Sequence, residues 1–591
     1  MSRPVGIDLG TTYTVVATIE DRRPRVLPNA EGQHLTPSVV ALLDEGGPLV
    51  GQAAKLQAAA NPGRTVFSIK RRMGSNYTVR ANGREYSPQE VSALILSKVK
   101  ADAEKYLGEP IHQAVVTVPA YFNDRQRQAT KEAAALAGLD VMRMINEPTA
   151  AALAYGLERE DVHTVLVWDL GGGTFDVSVL ELGEGIFEVR AVSGDTWLGG
   201  DDFDHRVMDY LAQEYRRVSW ADFPDDAGAR QKLREVAEKA KIELSASSSA
   251  LVRLPVPHTA VRCLEMCLSR VQLERLTADL LQRMAAATKQ ALDDAELTPA
   301  DVDRVILVGG ATRMPAIRRL ARELMGKEPY RYIDPDEVVA MGAAIQAGVI
   351  LRLVDKVVLL DVLPLTLGVE TQGGLMAGII PRNTPLPASG ACVFTTAADY
   401  QTSMDIHILQ GERPLVADNI SLGRVELSGI APAPRGGSKV EVAFDVDADG
   451  IMHLSATDLL SGNAVKAEVA STKLLDPGEI KHLAAEAQRS MAQDKEKRER
   501  AEASVEAESV MAAARMALDE LWEVEAVAQA EQIEQAVSRI KEAVASGVFP
   551  DVKARSGELR QLLMAIHKET QGDSIGRAER RPAHAGLVSS A

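Results

Sequence analysis

The chain has 591 residues, of which 46% are hydrophobic and 25% are charged, and its formal net charge at pH 7 is −17. This length and apolar content are sufficient for several globular domains, and the charged fraction is typical of folded proteins. The acidic balance argues against a nucleic-acid-binding or anionic-membrane-binding surface, because phosphate groups attract Lys and Arg. Three cysteines are too few for a disulfide framework.

The chain shows no sign of export or membrane insertion. No charged and then apolar leader follows Met1, and no apolar run reaches the roughly 18 residues that a membrane span requires. The longest candidate, 357–369, is interrupted by Asp361 and Pro364. We therefore expect a cytoplasmic protein that has no membrane contact.

Two short stretches repeat one pattern. In each, an apolar run contains an Asp near its end (Asp8 or Asp169), and a turn with Gly and Thr leads into a second alternating run. Glycines let backbone N–H groups approach a ligand closely, and such turns bind phosphate oxygens. The Asp before the turn can hold a metal ion or its water. One copy is a weak signal, since most such turns are ordinary hairpins, but two copies predict duplicated halves that enclose one polyphosphate.

Up to about residue 352, strand-like runs alternate with helical runs, which indicates an α/β architecture. The pattern predicts buried strands at 114–118, 164–168 and 302–308. It predicts helices at 124–137 and 315–325. The strand at 302–308 leads into Gly309, Gly310 and the start of a helix, which suits an anion or a nucleotide. On its own, however, this feature is best explained as an ordinary strand–helix turn.

The helical period is absent from about 362 to 473. Alternating runs are separated there by Gly, Pro, Asn and Asp turns, which predicts a compact all-β unit, a sandwich. The preceding segment 355–361 holds four consecutive apolar residues between charged ones. Linkers are usually polar, so this segment is predicted to dock on a neighbouring domain in at least one state; a buried strand of either domain is the alternative.

Ala, Glu, Gln, Lys and Arg dominate from Asp476 onward. Asp476, Pro477 and Glu479 predict a strong helix start, and apolar faces recur at 480–487, 533–544 and 559–566. The domains expected are therefore an α/β unit at 1–354, a linker at 355–361, a β-sandwich at 362–473, a helical region at 474–575 and a disordered tail at 576–591.

Five motifs carry a family resemblance. In chain order they are 6–12 (GIDLGTT), 118–122 (VPAYF), 146–152 (NEPTAAA), 169–176 (DLGGGTFD) and 309–313 (GGATR). They resemble the 70-kDa heat-shock chaperones, and most closely the bacterial DnaK type, from residue 1 to about 480, with a looser helical match beyond. The resemblance implies a multidomain fold: an actin-like, two-lobed α/β ATPase, an all-β peptide-binding sandwich and an α-helical lid.

The resemblance also implies a function. The protein would be an ATP-dependent molecular chaperone of the heat-shock and stress response, which binds extended apolar segments of unfolded proteins and releases them in a cycle of ATP hydrolysis. ATP and ADP, Mg²⁺ and K⁺ would be its cofactors. Unfolded or nascent polypeptides, a J-domain co-chaperone and a GrpE-type nucleotide exchange factor would be its partners.

Individual residues receive roles by the same resemblance. Lys70 would stabilise charge in the transition state, and Glu147 would orient the attacking water or the metal shell. Asp8 and Asp169 would hold Mg²⁺ through water, with Asp176 and K⁺ nearby, and Thr174 would contact the γ-phosphate. By residue type alone, Lys70 is one Lys in a basic run and is predicted at the surface.

Larger sets of residues match the binding surfaces of the family. The nucleotide-binding set is Gly10, Thr11, Thr12, Tyr13, Gly171, Gly172, Gly199, Gly200, Glu238, Lys241, Ser245, Gly309, Gly310, Arg313 and Asp336, with Arg313 stacked on adenine. The peptide-binding set is Val369, Gln372, Phe394, Ala397, Met404 and Ile406. The allosteric set is Pro119, Arg127, Val357, Val358, Leu359, Leu360 and Asp361.

The sequence also departs from the family pattern. Gln372 lies in the arch over the peptide, where the best-known relatives have Met, and Met404 enlarges a side chain of the peptide pocket. The stretch 75–88 is short and is similar to the compact Gram-positive form.

Two other classes of protein share parts of this architecture. A small-molecule kinase can use the same ATPase core but needs neither the β unit nor the apolar linker. A passive holder of unfolded chains, or an exchange factor, would lack the linker or the phosphate contacts, and both are intact here.

Overall fold

The computed structural model describes residues 3–43, 48–58, 61–81, 83–156, 162–183, 185–255, 263–330, 334–354, 357–468, eight positions between 507 and 518, and 527–578. The chain forms two compact units. The first comprises Met1–Gly368, Gly378–Glu412 and Ile420–Ala484, and the second comprises Val369–Ala377, Arg413–Asn419 and Ala485–Ala591.

The strands are numbered in chain order. Those of the first part of the chain are β1 (Val5–Leu9), β2 (Tyr13–Glu20), β3 (Arg23–Val26), β4 (Thr36–Pro37), β5 (Val40–Leu42), β6 (Pro48–Val50), β7 (Thr65–Val66), β8 (Val79–Ala81), β9 (Arg84–Tyr86), β10 (Gln113–Val118) and β11 (Asp140–Asn146). They are followed by β12 (His163–Leu170), β13 (Phe175–Gly183), β14 (Ile186–Asp195), β15 (Ser249–Pro255), β16 (Cys263–Ser269), β17 (Arg304–Val308) and β18 (Val358–Leu360). The remaining strands are β19 (Leu367–Thr371), β20 (Leu375–Ile380), β21 (Ala388–Thr395), β22 (Ser403–Gln410), β23 (Ile420–Ser428), β24 (Lys439–Val446), β25 (Met452–Asp458) and β26 (Ala464–Glu468).

The helices are numbered in the same way. They are α1 (Gln52–Gln57), α2 (Pro88–Leu107), α3 (Asp124–Leu136), α4 (Glu147–Gly156), α5 (Gly200–Ser219), α6 (Ala227–Ala246), α7 (Arg270–Leu276), α8 (Ala278–Asp294), α9 (Pro315–Met325), α10 (Val338–Ile350), α11 (Val527–Ser546) and α12 (Phe549–Ala578). None of these helices, within the residues that the structure describes, is both long and apolar enough to cross a membrane.

Two sheets of the first unit share one construction. β1 pairs in parallel with β10 and antiparallel with β2, and β12 pairs in parallel with β17 and antiparallel with β13. The strand orders are β11-β10-β1-β2-β3 and β17-β12-β13-β14-β18. The last pairs of the two hairpins are Leu9 with Thr14 and Leu170 with Phe175, so a four-residue turn closes each one. The predicted duplication is therefore confirmed at the level of strand pairing.

Helices α4 and α10 contact each other and join the two sheets. α10 also contacts β1 and β2, whereas α4 contacts β12 and β13. Both helices are rich in Ala and Gly, which lets their backbones approach closely: a Cβ added at Gly342 would lie 1.8 Å from the carbonyl oxygen of Ala150. The spacing of the two sheets thus depends on small residues at this crossing.

The β region forms regular antiparallel pairs. In the first unit, β21, β24, β25 and β26 make one sheet in that order, and β22 pairs with β23. Alternate residues of β24 are buried, among them Val440, Val442 and Phe444, as the period of two predicted.

The two last helices share an apolar core. Ile533 and Ile540 of α11 pack with Val552, Leu559 and Ile566 of α12. A left-handed glycine, Gly547, separates the helices.

The sequence predicted where the helical region begins and where it ends. The predicted helix start at Asp476, Pro477 and Glu479 and the face at 480–487 lie outside the described residues. The predicted tail from 576 needs correction, because α12 continues to Ala578; Arg577 and Ala578 are good helix formers and extend the existing hydrogen-bond ladder. The rest of the predicted tail lies outside the described residues.

The α4–α10 crossing makes a prediction about stability. Gly342→Ala should lower the thermal midpoint of unfolding, since overpacking against a backbone atom costs about 1–3 kcal/mol. That cost exceeds the roughly 0.5–1 kcal/mol that Ala gains over Gly in a helix. Scanning calorimetry measures the midpoint. The matched control is Gly557→Ala in α12, where an added Cβ meets no atom within 4 Å; a Gly342→Ala midpoint as high as that of this control would contradict the prediction.

Candidate functional site

A cavity of about 690 Å³ lies where the two hairpin turns meet. The first turn contributes residues 10–13 to its wall, and the second contributes Gly171, Gly172 and Thr174. The turns are in close contact: a Cβ at Gly172 would lie 2.0 Å from Oγ1 of Thr12. The duplicated pattern in the sequence therefore brings both turns to one site.

Charged side chains line one part of the cavity. Asp8, near the end of β1, accepts a hydrogen bond from the Thr117 hydroxyl (3.0 Å), and Asp169 occupies the equivalent position in β12. Glu147 is the first residue of α4 and pairs with Lys70. Only 4% of Lys70 is exposed. The surface position predicted from residue type alone is therefore wrong, because the Glu147 carboxylate compensates the ammonium group for its lost hydration.

Crowding of carboxylates changes their protonation. Burial, and next the charge of Glu147, raise the pKa of Asp8 to about 7, and the same two causes raise the pKa of Asp176 to about 8. Burial and Glu147 also raise the pKa of Asp169 well above its ordinary value, while Lys70 opposes the shift. The site thus concentrates negative charge in a region of low water content, where a bound cation would be strongly stabilised.

Most of the predicted nucleotide-site residues line the cavity. Besides the turns and the charged group, its wall includes Glu238, Lys241, Gly309, Gly310, Arg313 and Asp336. The Arg313 guanidinium is ion-paired with Asp334 (2.8 Å) and Asp336 (2.5 Å), which holds it at the rim.

Four predicted residues do not line this cavity. Asp176 lies behind it and accepts a hydrogen bond from the Tyr121 N–H (3.0 Å). Gly199 and Gly200 lie behind the second turn, where the Gly200 N–H donates to the Gly171 carbonyl (2.9 Å). The Ser245 hydroxyl donates to the Lys241 carbonyl, one turn earlier in the same helix (3.1 Å).

Several apolar residues of the wall were not predicted. Val15, Leu35, Ile242, Val308 and Val339 line the cavity, together with the polar residues Gln33 and Gln52. Ile242 carried a usable signal, because it is an apolar residue beside Lys241 on an otherwise charged helix face. In the structure it is 59% exposed. Leu35 and Gln33 carry no local signal, since they lie in an irregular segment.

The apolar segment before the β region forms a strand of the second sheet. Val358, Leu359 and Leu360 (β18) pair in parallel with residues 186–188 of β14. Leu359 is 8% exposed and packs in the apolar core, whereas Val358 is 50% exposed. The segment therefore forms a buried strand, which was the alternative interpretation, and docking that differs between states stays a prediction.

Asp361 follows this strand and is buried. Its carboxylate accepts hydrogen bonds from the Asn146 amide (2.8 Å) and from its neighbour Val362 (2.9 Å). The Arg127 guanidinium donates to Asn146 (2.7 Å) and also to the carbonyl oxygen of Asp449 in the β region (3.2 Å). The predicted allosteric residues Arg127 and Asp361 therefore meet at Asn146, and Pro119 is buried nearby at the end of β10.

Further hydrogen bonds join the β region to the α/β part within the first unit. The Met452 N–H donates to the Asp124 carboxylate (2.8 Å). Arg382 and Asn383 donate to Asp294, at the end of α8 (2.6 and 3.3 Å).

The predicted peptide-binding residues are divided between the two units. In the first unit, Ile406 is buried, Phe394 and Met404 are half-buried, and Ala397 is exposed. Val369 and Gln372 belong to the second unit, where Val369 is buried and Gln372 is exposed.

Duplicated hairpins that face one charged cavity define a two-lobed nucleotide-binding protein. Comparison with family models gives a match to the Hsp70 protein family over residues 4–571. The chain belongs to the Hsp70 family, whose members are in general ATP-dependent chaperones with a two-lobed ATPase, a β-sandwich and a helical lid.

The contact at Asp124 makes a prediction about pH. Burial raises the pKa of Asp124 to about 6 from its ordinary 3.8, so the native state binds this proton more tightly than the unfolded chain does. Asp124 therefore favours folding at low pH, and this contribution is lost as pH rises through 6. Asp124→Asn keeps an acceptor for Met452 and removes the titration.

Urea unfolding between pH 5 and 7.5 checks this prediction. Asp124→Asn should be more stable than the wild type at pH 7.5, by on the order of 2 kcal/mol, and the difference should shrink towards pH 5. Asp140→Asn, at an exposed position of β11, is the control. A difference that does not vary with pH would contradict the assignment.

Proposed function

We propose that this chain is a cytoplasmic, DnaK-type chaperone that binds extended apolar segments of unfolded proteins and releases them in a cycle of ATP hydrolysis. The observation that carries the proposal is the parallel pairing of β18 with β14. It attaches the segment before the β region to the sheet whose β12–β13 turn lines the nucleotide cavity. A sugar kinase does not require a connection between its ATPase core and a β domain. A passive holder of unfolded chains does not require buried charges for ATP hydrolysis.

The proposed domains follow the sequence interpretation, with the lid extended to the end of α12: an ATPase at 1–354, a linker at 355–361, a peptide-binding sandwich at 362–473, a lid at 474–578 and a tail beyond. A J-domain protein and a GrpE-type exchange factor are the partners that this architecture favours.

The donor set of the cavity suits Mg²⁺. Carboxylate oxygens are hard ligands, and the raised pKa values of Asp8, Asp169 and Asp176 reflect a charge that a cation would relieve. Among the described residues, no three His, Cys, Asp or Glu side chains are close enough to bind one metal ion directly. As the family resemblance implies, Asp8 and Asp169 would hold Mg²⁺ through its water ligands, with K⁺ near Asp176, and the ions would neutralise phosphate charge.

The chain's own groups supply the rest of the chemistry. Thr11, Thr12 and Thr174, with the N–H groups of the two turns, would donate hydrogen bonds to phosphate oxygens. Glu147 would orient the attacking water, and Lys70, already held by Glu147, would stabilise the charge that develops in the transition state.

The β region offers apolar groups for a peptide. Within the first unit, Phe394, Met404 and Ile406 would supply apolar groups of the pocket, and Ala397 would cross above it. An extended peptide can be held through its backbone, which is independent of sequence, while one pocket selects an apolar side chain. Unfolded chains expose such side chains and folded chains bury them.

Coupling between the two sites requires two states with different contacts. The described arrangement, with β18 paired and Asp361 buried, is proposed as the ATP-bound state. Release of β18 from β14 would free the β region in the ADP-bound state.

The ATP turnover rate, with and without an unfolded apolar peptide, tests the proposed function. Peptide should accelerate turnover severalfold, whereas a kinase would ignore it and a passive holder would hydrolyse little ATP in either case. Leu359→Asp should abolish the acceleration while leaving basal turnover intact, because a carboxylate cannot replace a buried Leu. The matched control is Val358→Asp, on the exposed side of the same strand. Persistent acceleration in Leu359→Asp would show that β18 is only a structural strand.

Lys70→Ala should reduce single-turnover ATP hydrolysis by about 10²–10³ and spare ATP binding. The reason is that a cation at the transferring phosphate acts mainly in the transition state. The exposed Lys105→Ala serves as the control. Hydrolysis by Lys70→Ala within a fewfold of the wild type would refute the role given to Lys70.

A further inference from the structure

The short turn that carries Lys70 has an unusual backbone. Lys70 belongs to a 3₁₀ helix, Ile69–Arg72, and the residue before it, Ser68, is left-handed with φ of 52°. A left-handed conformation is unfavourable for a residue other than Gly and persists only where the surroundings impose it. Contacts on both sides of Lys70 impose it here.

Both sides of the turn are attached to the first residues of α5. The Ser68 hydroxyl donates to the Asp201 carboxylate (2.5 Å), and the Arg71 guanidinium donates to the Asp202 carboxylate (2.9 Å). Helix α5 is in turn attached to the second hairpin turn, because the N–H of Asp201 donates to the Gly172 carbonyl (2.8 Å). The turn that holds Lys70 is thus fixed to the opposite wall of the cavity.

Arg71 itself is enclosed. Its side chain is 9% exposed, and its guanidinium carbon lies 5.1 Å from the centre of the Trp197 ring. A Cβ at Gly173 would lie 2.7 Å from Cγ of Arg71, so the aliphatic stem rests on the second hairpin turn. A cation above an indole face is attracted by the ring, most strongly where water is excluded. Arg71 is therefore enclosed by the indole ring, the second hairpin turn and Asp202.

We propose that Arg71, clamped between Trp197 and Asp202, is a positioning residue that sets the direction of Lys70. Lys70 and Arg71 are consecutive residues of one tight turn, so their side chains leave it in different directions. If the guanidinium is fixed, the ammonium group of Lys70 is directed to Glu147 and the cavity. Arg71 lies on the turn that carries Lys70, whereas Asp202 lies on α5, which is attached to the second hairpin turn. Lys70 is therefore aligned only while these two walls of the cavity are together. This inference rests on the proposed ATPase activity.

Single-turnover hydrolysis and ATP affinity, measured separately, test the clamp. Arg71→Ala and Trp197→Ala should each slow hydrolysis by about ten- to a hundredfold, the range for a misplaced catalytic group, with the ATP dissociation constant within about twofold of the wild type. Trp197→Phe retains an aromatic face and should restore most of the rate. The matched control is Arg72→Ala: the neighbouring guanidinium stacks on Tyr77 at 5.0 Å, away from the clamp. The double variant Arg71→Ala/Trp197→Ala should be no slower than either single variant, because each single substitution already removes the contact between Arg71 and Trp197.

Several results would overturn the proposal. They are equal losses of affinity and rate in Arg71→Ala, additive effects in the double variant, or a Trp197→Phe variant as slow as Trp197→Ala. If Arg71→Ala does not fold, the comparison of Trp197→Ala with Trp197→Phe tests the proposal.

A second measurement is independent of ATP hydrolysis. The fluorescence of Trp197, taken as the difference between each protein and its Trp197→Phe counterpart, should become more accessible to acrylamide when Arg71 is replaced by Ala. A wild type that does not hydrolyse ATP would refute the proposed function. The quenching of Trp197 would still test the contact between Arg71 and Trp197. Unchanged quenching would overturn the clamp.

Discussion

The architecture of the first unit depends on negative charge held away from water. Asp8, Asp169, Asp176 and Glu147 converge where the two sheets meet, and burial raises the pKa of the three aspartates. Such a group of carboxylates lowers the stability of the fold unless cations are supplied. Lys70 is one cation that the chain supplies, and the remaining negative charge would favour a bound cation. The strained turn at Ser68 belongs to the same arrangement, because strain is retained where a functional group must have one position.

Small residues make this convergence possible. The backbones of α4 and α10 approach so closely that no side chain fits at Gly342, and Gly6 meets the Ala344 backbone in the same way. Each hairpin turn is consequently held on a rigid sheet, and the two turns touch. A site built from strand ends and helix starts keeps its geometry better than one built from long loops, since regular elements have fewer ways to move.

The sequence predicted the elements with a strong pattern. The Asp-turn-Thr hairpins, the helix at α9 and the strand at β12 were found within a residue or two, because period and turn chemistry act locally there. Lys70 shows where local reasoning fails: residue type predicts a surface position, and only Glu147, 77 residues away, explains its burial. The extent of α12 was underestimated for a related reason, since a Gly-Arg-Ala end carries no clear stop. Gln33 and Leu35 were not predicted because tertiary packing alone brings an irregular segment to the cavity.

Two consecutive residues contact the cavity and the segment that contains β18. Asn146, the last residue of β11, donates to Asp361 beside β18, and the next residue, Glu147, pairs with Lys70 in the cavity. A rotation of this β11–α4 junction would change both contacts at once. Coupling requires an element with two discrete arrangements that both sites bias. Because Asn146 also accepts a hydrogen bond from Arg127, withdrawal of Asp361 would leave the Asn146 amide without this buried acceptor, at a cost of about 1–3 kcal/mol. That cost would favour a two-state response over a gradual one in the proposed coupling.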